Sequence, residues 1–132
     1  MPDSGLLLIR LIFGLTFAAH GTQKLFGWFG GYGIAGTAGW MESIGLKPGK
    51  FHATVAGLAE LVGGLLFAAG LWLPVAAVLM AGVMLVAIAT VHISKGFWGT
   101  AGGYEYNLAI IAVAVGLALV GPGAYTVQAL IH

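Results

Sequence analysis

The sequence predicts an all-α polytopic membrane protein, a bundle of four transmembrane helices, and three observations carry that prediction. Of the 132 residues, 60% are hydrophobic and 7% charged, with a mean hydropathy of +1.02. Soluble domains carry about 25% charged residues, so this chain lacks the polar surface that water demands, and its solvent is lipid. The apolar residues form runs, and Val75–Val91 shows none of the apolar–polar alternation of a transmembrane strand. The 23 glycines, a liability in soluble helices, let helix backbones approach closely in a bilayer. A spanning helix needs roughly 20 apolar residues, so four leave room for one substantial loop and several short ones.

The first helix is expected from Ser4, a candidate N-cap, to Leu25. No basic region precedes its apolar run and Phe17-Ala18-Ala19-His20 is a poor cleavage site, so it reads as a retained helix. A glycine- and aromatic-rich loop, 26–50, follows. Within it Thr37–Ile44 can form a short helix stopped by Gly45 and Pro48, with Trp40, Met41 and Ile44 in the membrane interface. The second helix covers Phe51–Leu73, Pro74 opens the third, which runs to Ile93, and the fourth runs from Tyr104 to Val120, stopped by Gly121-Pro122-Gly123. The tail from Ala124 reads as one more interfacial turn. Nothing in the composition divides the 132 residues into a second domain. Close packing of the first two spanning helices is expected through Gly14, Gly57, Gly63 and Gly64.

Alternating spans place the loops 26–50 and 94–103 on one side and both termini on the other. Lys24, Lys47, Lys50 and Lys95 belong to the loop side and only Arg10 to the other, so the positive-inside rule makes the loop side cytoplasmic.

Ionisable residues within spans are expensive in lipid and are by default functional. In the first helix Arg10, His20 and Lys24 share one arc, which must face the bundle. In the second, Gly57-x-x-Glu60-x-x-Gly63-Gly64 sets a carboxylate among glycines. At 1.5 Å per residue, Arg10 is expected about 9 Å deeper than Glu60, within reach of an ion pair. His20, Lys24, Glu60, His92, Tyr104, Glu105, Tyr106 and Asn107 then come from all four helices to the loop side, where they can converge. His20, Glu60, His92 and Glu105 are the candidates for ligand binding or proton handling, supported by Arg10, Lys24, Tyr104, Tyr106 and Asn107. Each also has a plainer role. Glu60 and Arg10 can form a structural pair, Lys24 can snorkel to the interface, His92 and Glu105 can be solvated, and Trp28, Trp40 and Trp98 can form an aromatic belt.

Other chemistries find little support. With no cysteine, thiol redox chemistry and cysteine-held clusters are excluded in this chain. His20 and His92 on separate helices permit haem or metal ligation without arguing for it, so no metal site is assigned. The glycines of 27–39 follow no strand and are not a phosphate-binding loop, no Ser/His/Asp arrangement is recognisable, and a net charge of +1 gives no reason to invoke nucleic acid.

The residues Arg10-Leu11, His20-Gly21-x-x-Lys24-Leu25-Phe26-Gly27, Met41-x-x-x-Gly45-Leu46, Glu60-Leu61-x-Gly63-Gly64, Gly70-Leu71, His92-x-x-x-Gly96-Phe97, Glu105-Tyr106 and Gly121-Pro122-Gly123 resemble, in order and spacing, the DoxX family of small four-helix membrane proteins. Two departures are Leu73-Pro74, where relatives tend to carry a basic residue, and Gln128, where they often carry aspartate. The resemblance implies a bacterial inner-membrane protein, embedded in lipid, with a quinone-linked role or a redox partner protein or subunit, and it leaves homo-oligomers open. On that reading His20 and His92 would hydrogen-bond or protonate a quinone head, Glu60 and Glu105 would accept protons, and Arg10 and Lys24 would balance charge. A small proton-coupled carrier using Glu60 and a non-catalytic scaffold for partner proteins are the alternatives.

Overall fold

In the computed structural model, which describes residues 2–99 and 103–126, the chain forms α1 (Pro2–Phe26), a 3-10 turn (Trp28–Gly30), α2 (Gly33–Ser43), α3 (Gly49–Ala69), α4 (Leu73–Ala87), a π-helical turn (Ile88–His92), a 3-10 turn (Ile93–Lys95) and α5 (Glu105–Val120). Pro2–Phe26, Gly49–Ala69 and the continuous stretch Leu73–Lys95 are long and apolar enough to cross a membrane. The helix α5 is as apolar but has 16 residues, about 24 Å of helix against a hydrocarbon core of about 30 Å, a shortfall that local thinning of a bilayer absorbs. Gln128 and the rest of the tail from 127, with Thr100–Gly102 of the second loop, lie outside the described residues.

Several ends differ from expectation for local reasons. Helix α1 starts at Pro2, not at Ser4, because proline suits a first helical turn, and Asp3 instead accepts a hydrogen bond from the Ala124 amide (3.1 Å). Helix α2 begins a turn early, at Gly33, and ends at Ser43, just ahead of Gly45, beyond which Leu46 N–H bonds the Met41 carbonyl at 2.9 Å. Helix α3 ends at Ala69, short of Leu73. Gly70 takes a left-handed conformation (φ 74°), and the Leu71 and Gly70 amides fold back to Leu66 (3.0 Å) and Phe67 (3.2 Å), the paired bonds of a Schellman ending. The α3 start is held by Glu42 of α2, whose Oε2 accepts from the Gly49 amide at 3.0 Å.

The helices α1 and α3 form the closest pair, and their register follows from glycine. A Cβ on Gly14 would lie 2.6 Å from the Gly64 carbonyl oxygen, and one on Gly21 would lie 2.6 Å from the Leu61 nitrogen. The two backbones touch, so no side chain fits at either crossing. Gly63, expected here, faces α4 instead, 3.1 Å from Leu79 Cβ by the same measure, and Gly21 takes the place assigned to it. Helices α3, α4 and α5 follow in sequence around the bundle. Phe17, Phe67, Met80, Ile110 and Leu117 close the core across all four.

Arg10, 1% exposed, lies at the end of the bundle that carries the termini. Its Nη1 donates to the Pro122 carbonyl (2.9 Å) and its Nη2 to that of Tyr125, while Nε has no partner among the described residues. The bare Cα of Gly70 makes room for the guanidinium. Residues 124–126 are therefore not the helical turn expected of them but an irregular strap over the bundle end. Arg10→Met should release this strap. Each charge-assisted bond lost is worth about 1.5–3 kcal/mol, and cleavage near Tyr125 in limited proteolysis should rise while the four helices stay assembled.

Candidate functional site

The buried charge sits where α1 crosses α3. Lys24 Nζ donates to both Glu60 oxygens, at 2.6 Å to Oε1 and 2.8 Å to Oε2, and the two side chains are 26% and 4% exposed. Glu60 lies eleven residues into the 21-residue α3, about 16 Å from its start and so close to the bilayer middle. Helical side chains tilt toward the helix N-terminus. Lys24, near the loop-side end of α1, is thereby aimed inward toward Glu60, and its stem passes over Gly57, where a Cβ would sit 3.4 Å from Lys24 Cβ.

The same tilt and register correct the expected Arg10–Glu60 pair. With Gly14 seated between Gly64 and Ala68, and Gly21 between Gly57 and Leu61, Arg10 is level with Gly70, about 15 Å along the axis from Glu60, and its side chain points further away. Glu60 is 3% exposed and faces the bundle, but its partner is Lys24. Lys24 accordingly does not snorkel out.

The expected convergence of eight residues forms in part, with Lys24, Glu60 and Asn107 at one depth and His20 and Tyr106 in electrostatic range of Glu60. His20 is exposed and its Nδ1 hydrogen-bonds Gln23 Oε1 at 3.0 Å, although it stays within electrostatic range of Glu60. Glu105 Oε1 accepts from the Gly99 amide (2.7 Å) and fastens the second loop. Tyr104 packs edge-on against Phe97, with ring centroids 5.6 Å apart. His92 closes the π-helical turn, half-buried. Tyr106 is exposed on the bundle surface, in electrostatic range of Glu60. Asn107 is buried, its Nδ2 3.4 Å from Met84 Sδ. The α3–α4 contact at Gly63 and Leu79 sets Met84 at the depth of Glu60, so Lys24, Glu60, Met84 and Asn107 share one layer. Among the described residues no group of three His, Asp or Glu could hold a metal ion.

Beside this layer a cleft of about 460 Å³ runs between α3 and α4, with α2 across its loop-side end. Its walls are almost wholly apolar, and Val55, Val78 and Val86, each at least half exposed, mark where it opens outward, to lipid. The polar groups that reach it are the Lys24–Glu60 pair, His52 and Thr90. Thr90 sits in the π-helical turn and returns its Oγ1 to the Val86 carbonyl at 2.7 Å. Trp40, Met41 and Ile44, expected in the interface, also wall this end of the cleft.

His52 and Thr90 escape a reading that looks for charges inside spans. A signal for the cleft does exist in the chain. Ala56, Ala59 and Gly82 are small, yet Gly82 is exposed and a Cβ there would meet nothing within 4 Å. A glycine that serves no packing contact leaves space rather than closing it.

Fold and cleft together define a small helical membrane protein with a buried charge pair beneath a lipid-facing groove. The chain belongs to the DoxX family, whose model matches residues 5–93. It is 36% identical over 119 residues to CatD of Bacillus subtilis, a protein provisionally named an oxidoreductase, covering 90% of this chain and 81% of that one. It is 30% identical to the inner membrane protein YqjF of Escherichia coli, over 100% of this chain and 95% of YqjF. An uncharacterised membrane protein of Mycobacterium tuberculosis is likewise 30% identical, over 92% of this chain and 78% of its own length. No solved structure is a significant match.

Proposed function

We propose that the protein is a quinone-binding component of a membrane redox system, with the isoprenoid lipid in the α3–α4 cleft and its head toward the Lys24–Glu60 pair. The carrying observation is the cleft itself, apolar, about 460 Å³ in volume and open to lipid beside one buried charge pair. Ligand sites combine such a pocket with few, placed polar groups. The oxidoreductase name of CatD supports a redox role in kind. A bound quinone supplies a two-electron couple whose reduction takes up protons. Glu60 and Lys24 exchange those protons, His52 and Thr90 offer hydrogen bonds at the loop-side end, and a partner protein or subunit exchanges the electrons. His20, His92 and Glu105 are not among the residues lining the cleft, so on this reading they do not touch the bound quinone.

Titration of a short-tailed quinone against the purified protein tests this. Wild type should bind saturably, and Gly82→Leu, which adds bulk at a cleft-lining position where a Cβ would meet nothing within 4 Å, should weaken binding at least about tenfold, or 1.4 kcal/mol. His20→Ala and Glu105→Gln should bind as wild type. Absence of saturable binding to wild type, or equal binding by Gly82→Leu, would sink the assignment. The near-central depth of the Lys24–Glu60 pair also favours a proton-coupled carrier, for which flux driven by a pH gradient in vesicles is the deciding measurement.

The loop side is proposed to face the cytoplasm. Lys47, Lys50 and Lys95 are exposed there, whereas Arg10 is buried. Single cysteines replacing Lys47 and Lys95 should resist a membrane-impermeant reagent in intact cells; efficient labelling of both reverses the orientation.

A further inference from the structure

Lys24 borders a second cavity. A pocket of about 240 Å³ lies beneath the α1–α2 connection, walled by Gln23, Lys24, Gly30, Gly31, Tyr32 and Thr37. It is less apolar than the cleft, with the side chains of Gln23, Lys24, Tyr32 and Thr37 and the bare backbone of two glycines in its walls. Among the described residues Lys24 is the one that lines both cavities. Its ammonium has three protons to donate and spends two on the Glu60 oxygens. Glu60 itself is nearly closed, at 4% side-chain exposure.

We propose that this loop-side pocket is the aqueous access route of the buried pair, so that protons reach Glu60 from water through Lys24 while the α3–α4 cleft opens only to lipid. This deepens the quinone reading and, as a proton supply for it, rests on it; the access itself does not. In the step, Lys24 gives an ammonium proton to the Glu60 carboxylate, and water in the pocket returns a proton to the resulting amine. The net change is one proton moved from water to the carboxylate. The other groups that face the pair are His20 and Tyr106, in electrostatic range of Glu60, Tyr32 on the pocket wall and His52 on the cleft wall. Of these, Tyr32 shares the pocket wall with Lys24. Gly31 keeps the loop pressed onto α1, since a Cβ there would lie 2.5 Å from Gln23 Cα, and this close seat makes the pocket a bounded chamber.

The native chain has no cysteine, so single introduced thiols report cleanly. In protein held in lipid nanodiscs, Thr37→Cys, at a position only 7% exposed, should react with a quaternary-ammonium thiol reagent at least about tenfold faster than Ala56→Cys in the cleft, because apolar surroundings suppress the thiolate. Equal or slower reaction at position 37 overturns the proposal. Should Thr37→Cys fail to fold, Gln23→Cys on the opposite wall is judged by the same criterion. The route is then tested by plugging. A bulky reagent on Thr37→Cys should slow, at least about tenfold, the response of the Glu60 carboxyl infrared band, identified by its loss in Glu60→Gln, to a pH jump. The same reagent placed on Ala56→Cys should not. No slowing, or no band that responds to pH, overturns the route even if the pocket is wet. Gly82→Leu reports on the cleft and these thiols on the pocket, so either reading can fail without the other.

Discussion

Lys24→Met in a chain that keeps Glu60 is expected to destabilise the bundle by about 3–5 kcal/mol, the cost of leaving a buried charge without its partner. The reverse removal, Glu60→Gln, should cost less. Lys24 sits near the loop-side end of α1 and is 26% exposed, so its long stem can swing to the interface once released. Glu60 has a short stem near the middle of α3 and nowhere to go. The double replacement Lys24→Met with Glu60→Leu removes both charges and should recover most of the loss, since apolar substitutes for a buried pair are often neutral or better. Reversible unfolding in detergent or nanodiscs of the three variants measures this. A double variant as unstable as Lys24→Met, or Glu60→Gln worse than Lys24→Met, would contradict the pairing.

The second large effect is steric. Gly64→Leu should prevent α1 and α3 from closing, because even a Cβ at position 64 would lie 2.5 Å from the Ala18 nitrogen and 2.9 Å from its Cα. Overpacking usually costs about 1–3 kcal/mol, but that range assumes side chains that can yield. Here the obstacle is backbone, so the loss should reach or exceed the top of it. Little assembled, detergent-stable protein should be recovered. Gly63→Ala, against the Leu79 and Met80 side chains on the α4 side, should be far milder. Similar yields for Gly64→Leu and wild type would remove the glycine crossing from the account.

What the chain discloses before folding divides along physical lines. Apolar runs and their punctuation by glycine and proline are local, so the helical membrane bundle and approximate ends of its spans are legible. Gly70 shows the limit of that reading. Its neighbours are apolar enough to prolong α3 to Leu73, and only its left-handed backbone stops the helix. Partner choice is not local. Arg10 and Lys24 are both cations on α1, and a depth count brings Arg10 within reach of Glu60. The deciding facts are the register fixed by Gly14 and Gly21 and the inward tilt of side chains, which together favour Lys24. His20 and Glu105 look like site residues by type and depth. Their hydrogen bonds run to Gln23 and to the Gly99 amide, partners that type and depth do not disclose, because helix rotation about its own axis is poorly fixed by a few polar positions. The cleft is legible only in hindsight, through small residues such as Gly82 that pack against nothing.

The contact of Arg10 with the Pro122 and Tyr125 carbonyls bears on the order in which the protein is made. Arg10 leaves the ribosome more than a hundred residues before its acceptors, and until they arrive a guanidinium on the first helix has no strap to seat it. The growing chain therefore carries an unsatisfied cation at the membrane through the synthesis of every other helix. Without residues 122–125 the guanidinium would lose both of these acceptors. Burial of this one side chain thus marks the closing of that end of the bundle.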